Sequence, residues 1–215
     1  ITTDPSEVDA VVKRQWKTIF DGNAADLEQT VSTFFNKFAS RIFKHAEFEL
    51  DALTGSMVLE SFKHTADSAG AMDGWRPKEL SLMSERVCHH VAVLLNLIET
   101  GAPWPESTTH AKVVYLEKAG AVAGEVMSYR PLTITAPLYR CWGTMRLRHL
   151  EGWVTLWALP EMFAGVPEHG AMDAWYKVLL DIEELKLTHT PFCGGVADIE
   201  KFFDQIIRQL VYTMA

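Results

Sequence analysis

An aspartate near the end of the chain stands where an apolar segment changes into an amphipathic one. Asp198 follows Val196 and Ala197, two small apolar residues that suit a buried strand after a pair of glycines. Beyond it, apolar residues recur at helical spacing from Phe202 to Leu210. A carboxylate held between a strand and a helix can bind a hard divalent cation without being desolvated. The same aspartate could instead cap the last helix, with the aromatic residues after it in the core.

The residues around Asp198 resemble the first catalytic motif of reverse transcriptases, which are RNA-directed DNA polymerases. That motif reads roughly Asp-x-x-Lys-x-Phe-Asp and is matched by Asp198, Lys201, Phe203 and Asp204. The resemblance implies that the Asp198 carboxylate and the Ile199 backbone carbonyl bind the catalytic metal. It also implies that the Phe203 ring stands under the incoming sugar and rejects a ribonucleotide by steric clash.

Further segments resemble blocks of the non-LTR retrotransposon and group II intron reverse transcriptases, in the family's usual order. Residues 68–75 resemble a Gly-x-Asp-Gly turn, and residues 113–120 resemble a strand ending in Pro-Lys-x-Gly, with Glu117 in place of the proline. Residues 128–134 resemble the Tyr-Arg-Pro-Ile strand, and residues 162–167 loosely resemble a Gly-Phe-Arg-like loop. These matches are spread in order across about two thirds of the chain.

The resemblance implies RNA-templated DNA synthesis by two-metal nucleotidyl transfer, with Mg²⁺ as cofactor. The implied partners are an RNA template, a DNA primer and deoxynucleoside triphosphates. The family's second acidic motif, Tyr or Phe-x-Asp-Asp, does not follow Asp204. We therefore expect the fingers and first palm motif of a longer polymerase, inactive as this piece alone. The alternative is a retroelement-derived, non-catalytic helical module that binds RNA or a protein partner.

Two basic residues stand beside the predicted strands of the fingers. Residues 113–116 and 132–135 are short and β-branched, and the glycine-containing turn between them predicts a hairpin that could fold over a nucleotide. A triphosphate needs positive charge on its β and γ groups as pyrophosphate leaves. Arg130 offers a planar fork for this purpose, and Lys118 offers a mobile point charge. Either residue could also be a solvated strand end.

The charge of the chain is unevenly distributed. The net charge is −8, whereas a protein that binds nucleic acid usually has a basic surface. Residues 110–150 nevertheless carry six Lys or Arg against two acids. Arg140, Arg146 and Arg148 in this window are candidates for contact with nucleic acid. They could equally form one exposed helix face without a ligand.

The periodicity predicts a helix-rich α+β protein. We expect helices over residues 5–21, 27–43, 56–65, 77–98 and 171–187, a small antiparallel sheet over 113–135, and a final strand and helix around Asp198. We assign residues 1–108 to a helical N-terminal extension with the fingers helices. Residues 109–190 hold the fingers hairpin and following helices, and residues 191–215 hold the truncated first palm strand and helix.

Hydropathy and cysteine usage predict the compartment. No segment reaches the roughly 18 to 20 uninterrupted apolar residues that a membrane helix needs, so we expect no membrane partner. The three cysteines are odd in number and far apart, which is typical of a reducing compartment. We therefore expect an intracellular protein, located in the nucleus if the parent is a eukaryotic retroelement.

Overall fold

The computed structural model describes residues 4–42, 48–122 and 124–214. Helices hold 56% of the described residues and an antiparallel pair of strands forms a small sheet, which confirms the predicted helix-rich α+β class. The elements are α1 Pro5–Phe20, α2 Leu27–Phe38, α3 Gly55–Lys63, α4 Pro77–Leu80, α5 Glu85–Glu99, α6 Glu106–Thr109, β1 Lys112–Glu117, β2 Tyr129–Ile134, α7 Pro137–Trp157, α8 Ala171–Leu187 and α9 Arg208–Met214. None of the helices described is long and apolar enough to cross a bilayer.

Capping explains where α1 begins and ends. The Asp4 carboxylate accepts the backbone N–H groups of Ser6 and Glu7 at 2.8 and 3.2 Å, as the start signal predicts. After the helix, Gly22 and Asn23 have φ angles of 69° and 53°. This left-handed backbone ends a helix, and glycine adopts it without steric cost. The predicted first helix is therefore confirmed.

Two predicted helices end earlier than expected. The segment predicted as one helix over 77–98 is two helices, α4 and α5. They separate because Ser84 has extended backbone and its hydroxyl accepts the Val87 N–H, which starts a new helix. The helix predicted over 27–43 ends at Phe38 and continues as the 3₁₀ turn Ala39–Arg41. Residue 43 lies outside the described residues.

The chain divides into two compact units. We call the described residues of 46–121 and 128–174 the central unit. Those of 1–45, 122–127 and 175–215 form the terminal unit. The domain boundaries after residues 108 and 190 stay a prediction.

The core of the central unit forms where α3 packs against α5 and α7. Each helix contributes apolar residues about four positions apart, which places them on one face. The buried members are Val58 and Phe62 from α3, Cys88, Ala92, Leu95 and Ile98 from α5, and Cys141 and Met145 from α7. This packing holds α7, and with it the predicted arginine face, in a fixed orientation within the unit.

Helices α3 and α5 approach each other closely at Gly55, where a larger residue should lower stability. A Cβ on Gly55, at the start of α3, would lie 2.9 Å from the His89 Cα, so the backbone would have to shift. We expect Gly55→Ala to lower the free energy of unfolding by about 1 to 3 kcal/mol, measured by urea denaturation. Gly143→Ala in α7 is the control, because nothing lies within 4 Å of a Cβ there. Equal losses in the two variants would contradict this account.

The predicted antiparallel hairpin is present. Strand β1 pairs antiparallel with β2, from Lys112 opposite Ile134 to Glu117 opposite Tyr129. Pro131 lies opposite Tyr115, a position that a two-stranded sheet tolerates because each strand has one unpaired edge. The sheet therefore brings together the two segments that resemble consecutive blocks of the reverse transcriptase family.

Candidate functional site

The segment that carries Asp198 is irregular and exposed. Residues 190–199, all of which are described, contain neither helix nor strand, and Val196 is 98% exposed. The predicted strand at Val196 and Ala197 is therefore wrong. No neighbouring strand pairs with these residues, and the two preceding glycines make an ordered extended backbone entropically costly. Asp198 itself is exposed, in a part of the terminal unit without regular structure.

The residues after Asp198 form two short helices instead of the continuous helix that their spacing predicts. The Phe202 N–H donates to the Ile199 carbonyl at 3.2 Å, which begins a turn. Lys201 has a φ of 52°, and the 3₁₀ helix Phe202–Gln205 ends before α9 begins at Arg208. Asp198 thus caps neither helix, and the alternative reading of this residue as a helix cap is also wrong.

Phe203 points into solvent. It is 85% exposed, and its ring contacts Phe202 edge to face at 5.4 Å between centroids. The alternative that Phe203 belongs to the core is therefore wrong. Its predicted contact with the sugar stays a prediction, and the exposed ring is sterically open to a ligand.

Lys201 is held by residues that the sequence did not indicate. Its Nζ lies 4.8 Å from the centre of the Trp16 ring in α1 and 3.3 Å from the Met127 Sδ, all within the terminal unit. A cation over an indole ring contributes about 0.5 to 2 kcal/mol. Trp16 precedes Lys201 by most of the chain, and its helical spacing predicts only core packing. These contacts tie the motif segment to α1.

Lys118 and Arg130 lie on the same hairpin. Arg130 is opposite Leu116, and the Lys118 N–H donates to the Ser128 carbonyl at 3.1 Å, one step beyond the end of β1. Alternation along the strand places Lys118 on the same face as Leu116 and therefore diagonal to Arg130. Arg130 is exposed and Lys118 is half-buried. The central unit thus brings together the two residues predicted to bind phosphate.

Arg146 has a structural role within the central unit. It is 6% exposed and forms an ion pair with Glu99, whose Oε1 accepts the Arg146 Nε–H at 2.6 Å. Its Nη1 donates to the Asp51 carbonyl at 2.8 Å and lies 2.9 Å from the His149 Nδ1. The hydrogen bonds from Arg146, supplemented by one from Trp142, hold the pKa of Glu99 below its ordinary value.

The predicted arginine face is therefore smaller than expected. Arg146 forms an ion pair with Glu99, and contact with nucleic acid would require breaking that pair. We therefore remove Arg146 from the proposed binding surface. Arg140 and Arg148 instead line one cavity, in which Arg148 is exposed. Sequence spacing could not separate the three because Glu99 lies on a different helix.

Carboxylates suited to a metal are sparse in the described part of the chain. Residues 4–42, 48–122 and 124–214 contain no cluster of three His, Cys, Asp or Glu side chains that could hold an ion. Mg²⁺ usually keeps several waters and binds one or two carboxylates together with substrate phosphates. Binding of Mg²⁺ by Asp198 and the Ile199 carbonyl therefore stays a prediction.

Comparisons with known proteins give no relative. No model of a protein family matches the sequence, and no curated protein matches it at a significant level. The resemblance to reverse transcriptases thus depends on the motifs and on the arrangement of the residues within them.

Proposed function

We propose that this chain forms the fingers and first palm motif of a reverse transcriptase. The observation that carries the proposal is the β1–β2 hairpin. Two segments that resemble consecutive family blocks pair with each other, and this pairing supports a role for Arg130, opposite Leu116, and for Lys118, one residue beyond β1. An arrangement with two cations on one strand face suits a triphosphate, which carries negative charge on each phosphate.

The resemblance assigns to the matched residues of each unit a separate role in nucleotide binding. The exposed guanidinium of Arg130 donates two parallel hydrogen bonds to phosphate oxygens, and Lys118 adds a point charge. The Phe203 ring excludes a ribose 2′-hydroxyl by contact. Asp198 and the Ile199 carbonyl would hold Mg²⁺, which would supply charge neutralisation at the reacting phosphate. The RNA template and the DNA primer are the partners that this activity requires.

Binding of deoxynucleotides tests the hairpin assignment. We expect Arg130→Gln to weaken binding of a deoxynucleoside triphosphate to the chain by roughly tenfold, because it removes a charge-assisted bidentate contact. Isothermal titration calorimetry measures this directly. Arg86→Gln is the matched control, since Arg86 is an exposed arginine of α5 outside the matched motifs. Unchanged affinity in Arg130→Gln would remove the hairpin from the nucleotide site.

One observation favours the non-catalytic alternative. Helix α8 exposes large apolar side chains, including Trp175 at 62% and Leu187 at 81%. Exposed apolar surface of this kind commonly marks a site of protein interaction. A helical module that only binds a partner has no need of deoxynucleotides. The titration of wild type and Arg130→Gln therefore separates the two proposals.

A further inference from the structure

The central unit contains a cavity of about 210 Å³ whose wall is basic. Arg140, Arg148 and His64 contribute to this wall, and no Asp or Glu is among the described residues that line it. The other polar side chains of the wall are the hydroxyls of Ser61, Thr65, Ser68 and Thr144. A cavity lined by cations and hydroxyl donors without carboxylates favours an anion.

Helix α7 explains why these groups face one space. Arg140, Thr144 and Arg148 are four residues apart and therefore lie on one face of the helix. Pro137, the first residue of α7, belongs to the same wall. The positive end of the dipole of this long helix is thus near Arg140, in the first turn, and it adds to the preference of that part of the wall for negative charge.

Arg140 is fixed in place without being neutralised. Its Nη1 donates to the Ser68 Oγ at 3.0 Å and its Nη2 to the Ala69 carbonyl at 2.8 Å, both of which are uncharged acceptors. Its Nε is buried and has no hydrogen-bond partner among the described residues. Since a buried guanidinium nitrogen normally has an acceptor, this atom indicates an incomplete site.

The arginines of the cavity differ from Arg146, on the same helix, in their charge pairing. Arg146 is paired with Glu99, whereas neither Arg140 nor Arg148 forms an ion pair with a carboxylate in the part of the chain that the structure describes. Two arginines that line one cavity without a carboxylate partner leave positive charge uncompensated there, and a bound anion would neutralise it. The wall therefore carries positive charge and hydrogen-bond donors that a negatively charged ligand could use.

We propose that this cavity binds a phosphoryl group. Arg148, which is exposed, contacts the group from the solvent side, while Arg140 and the hydroxyls of Ser61 and Ser68 donate hydrogen bonds to its oxygens. The Thr144 hydroxyl already donates to the Arg140 carbonyl. The group could belong to inorganic phosphate, to a nucleotide or to the backbone of RNA. The proposal deepens the nucleic-acid contact proposed for Arg140 and Arg148. It involves neither Asp198 nor the hairpin, so it can fail while the polymerase proposal stands.

Calorimetric titration of the 215-residue chain with three ligands tests the cavity. The ligands are inorganic phosphate, adenosine monophosphate and a single-stranded RNA of about ten nucleotides. We expect Arg148→Gln to weaken binding by roughly tenfold, as loss of one charge-assisted contact implies. Because Arg148 is exposed, this variant keeps the fold, which circular dichroism checks. Arg140→Gln should also weaken binding, but it frees the Ser68 loop as well and is therefore the second variant.

Arg86→Gln is the control for net charge, because Arg86 is exposed on α5 and lies outside the cavity wall. Loss of affinity in Arg148→Gln for phosphate and the nucleotide supports a small phosphorylated ligand. If Arg148→Gln loses affinity for RNA but not for phosphate or the nucleotide, the result supports a backbone phosphate of RNA as the ligand. Absence of binding by all three ligands, equal affinity of wild type and Arg148→Gln, or an equal loss in Arg86→Gln would overturn the proposal.

Discussion

Replacement of Asp198 by alanine is expected to abolish DNA synthesis by a protein that contains this chain together with the family's second acidic motif. Under the proposed function, Asp198 would be the carboxylate that binds the metal at the reacting phosphate. Stabilisation of that charge is worth several kcal/mol, and each 1.36 kcal/mol is tenfold in rate. The loss should therefore be about a thousandfold or more, measured by primer extension on an RNA template.

A variant of the neighbouring aromatic is the control for Asp198→Ala. Phe203 is exposed, so Phe203→Ala leaves the packing of the terminal unit nearly unchanged. It should retain DNA synthesis and admit ribonucleotides, because only the steric clash with the 2′-hydroxyl is removed. Retained synthesis in Asp198→Ala would show that this aspartate does not bind the catalytic metal.

Removal of the Glu99 charge is expected to cause a large loss of stability. Glu99→Gln leaves the buried Arg146 guanidinium without its counter-ion. Because the Glu99 side chain is partly exposed, we expect a loss of about 2 kcal/mol, below the cost of breaking a fully buried pair. Urea denaturation measures the change in the free energy of unfolding. Asp9→Asn is the control, because the Asp9–Lys13 pair is on the surface and its loss should leave stability nearly unchanged.

The same ion pair makes stability depend on acid pH. The pKa of Glu99 is lower in the folded chain than its ordinary value, so the pair stabilises the fold above the unfolded pKa of a glutamate. That stabilisation is lost as the pH falls through the lowered folded pKa. The difference in stability between wild type and Glu99→Gln should therefore shrink in acid. A difference that stays constant from neutral to acid pH would contradict the assigned charge pairing.

Local signals in the sequence predicted the elements whose stability is local. Asp4 and Gly22 bound α1 because a cap and a left-handed residue act over a few neighbours. The β1–β2 hairpin likewise follows from two short β-branched segments and a glycine-containing turn between them. The exception is the break between α4 and α5, where one serine hydroxyl overrides a continuous apolar periodicity.

Features that depend on distant residues could not be predicted in this way. Arg146 looks like its neighbours Arg140 and Arg148 in sequence, and only the position of Glu99 on α5 makes it buried. The strand predicted before Asp198 needs a pairing partner, which no local pattern supplies. The cavity likewise depends on α3, the Ser68 loop and α7 meeting in space. Motif spacing therefore identified candidate residues, whereas packing determined which of them are accessible.

RNA-templated primer extension tests the central claim most directly. The assay uses a protein that contains this chain and the downstream acidic motif, an RNA template, a DNA primer and Mg²⁺, with either deoxynucleotides or ribonucleotides supplied. Our account predicts extension with deoxynucleotides and little or none with ribonucleotides, because Phe203 excludes the 2′-hydroxyl. Absence of extension with deoxynucleotides, or equal extension with both, would contradict the assignment and leave the non-catalytic binding module as the better account.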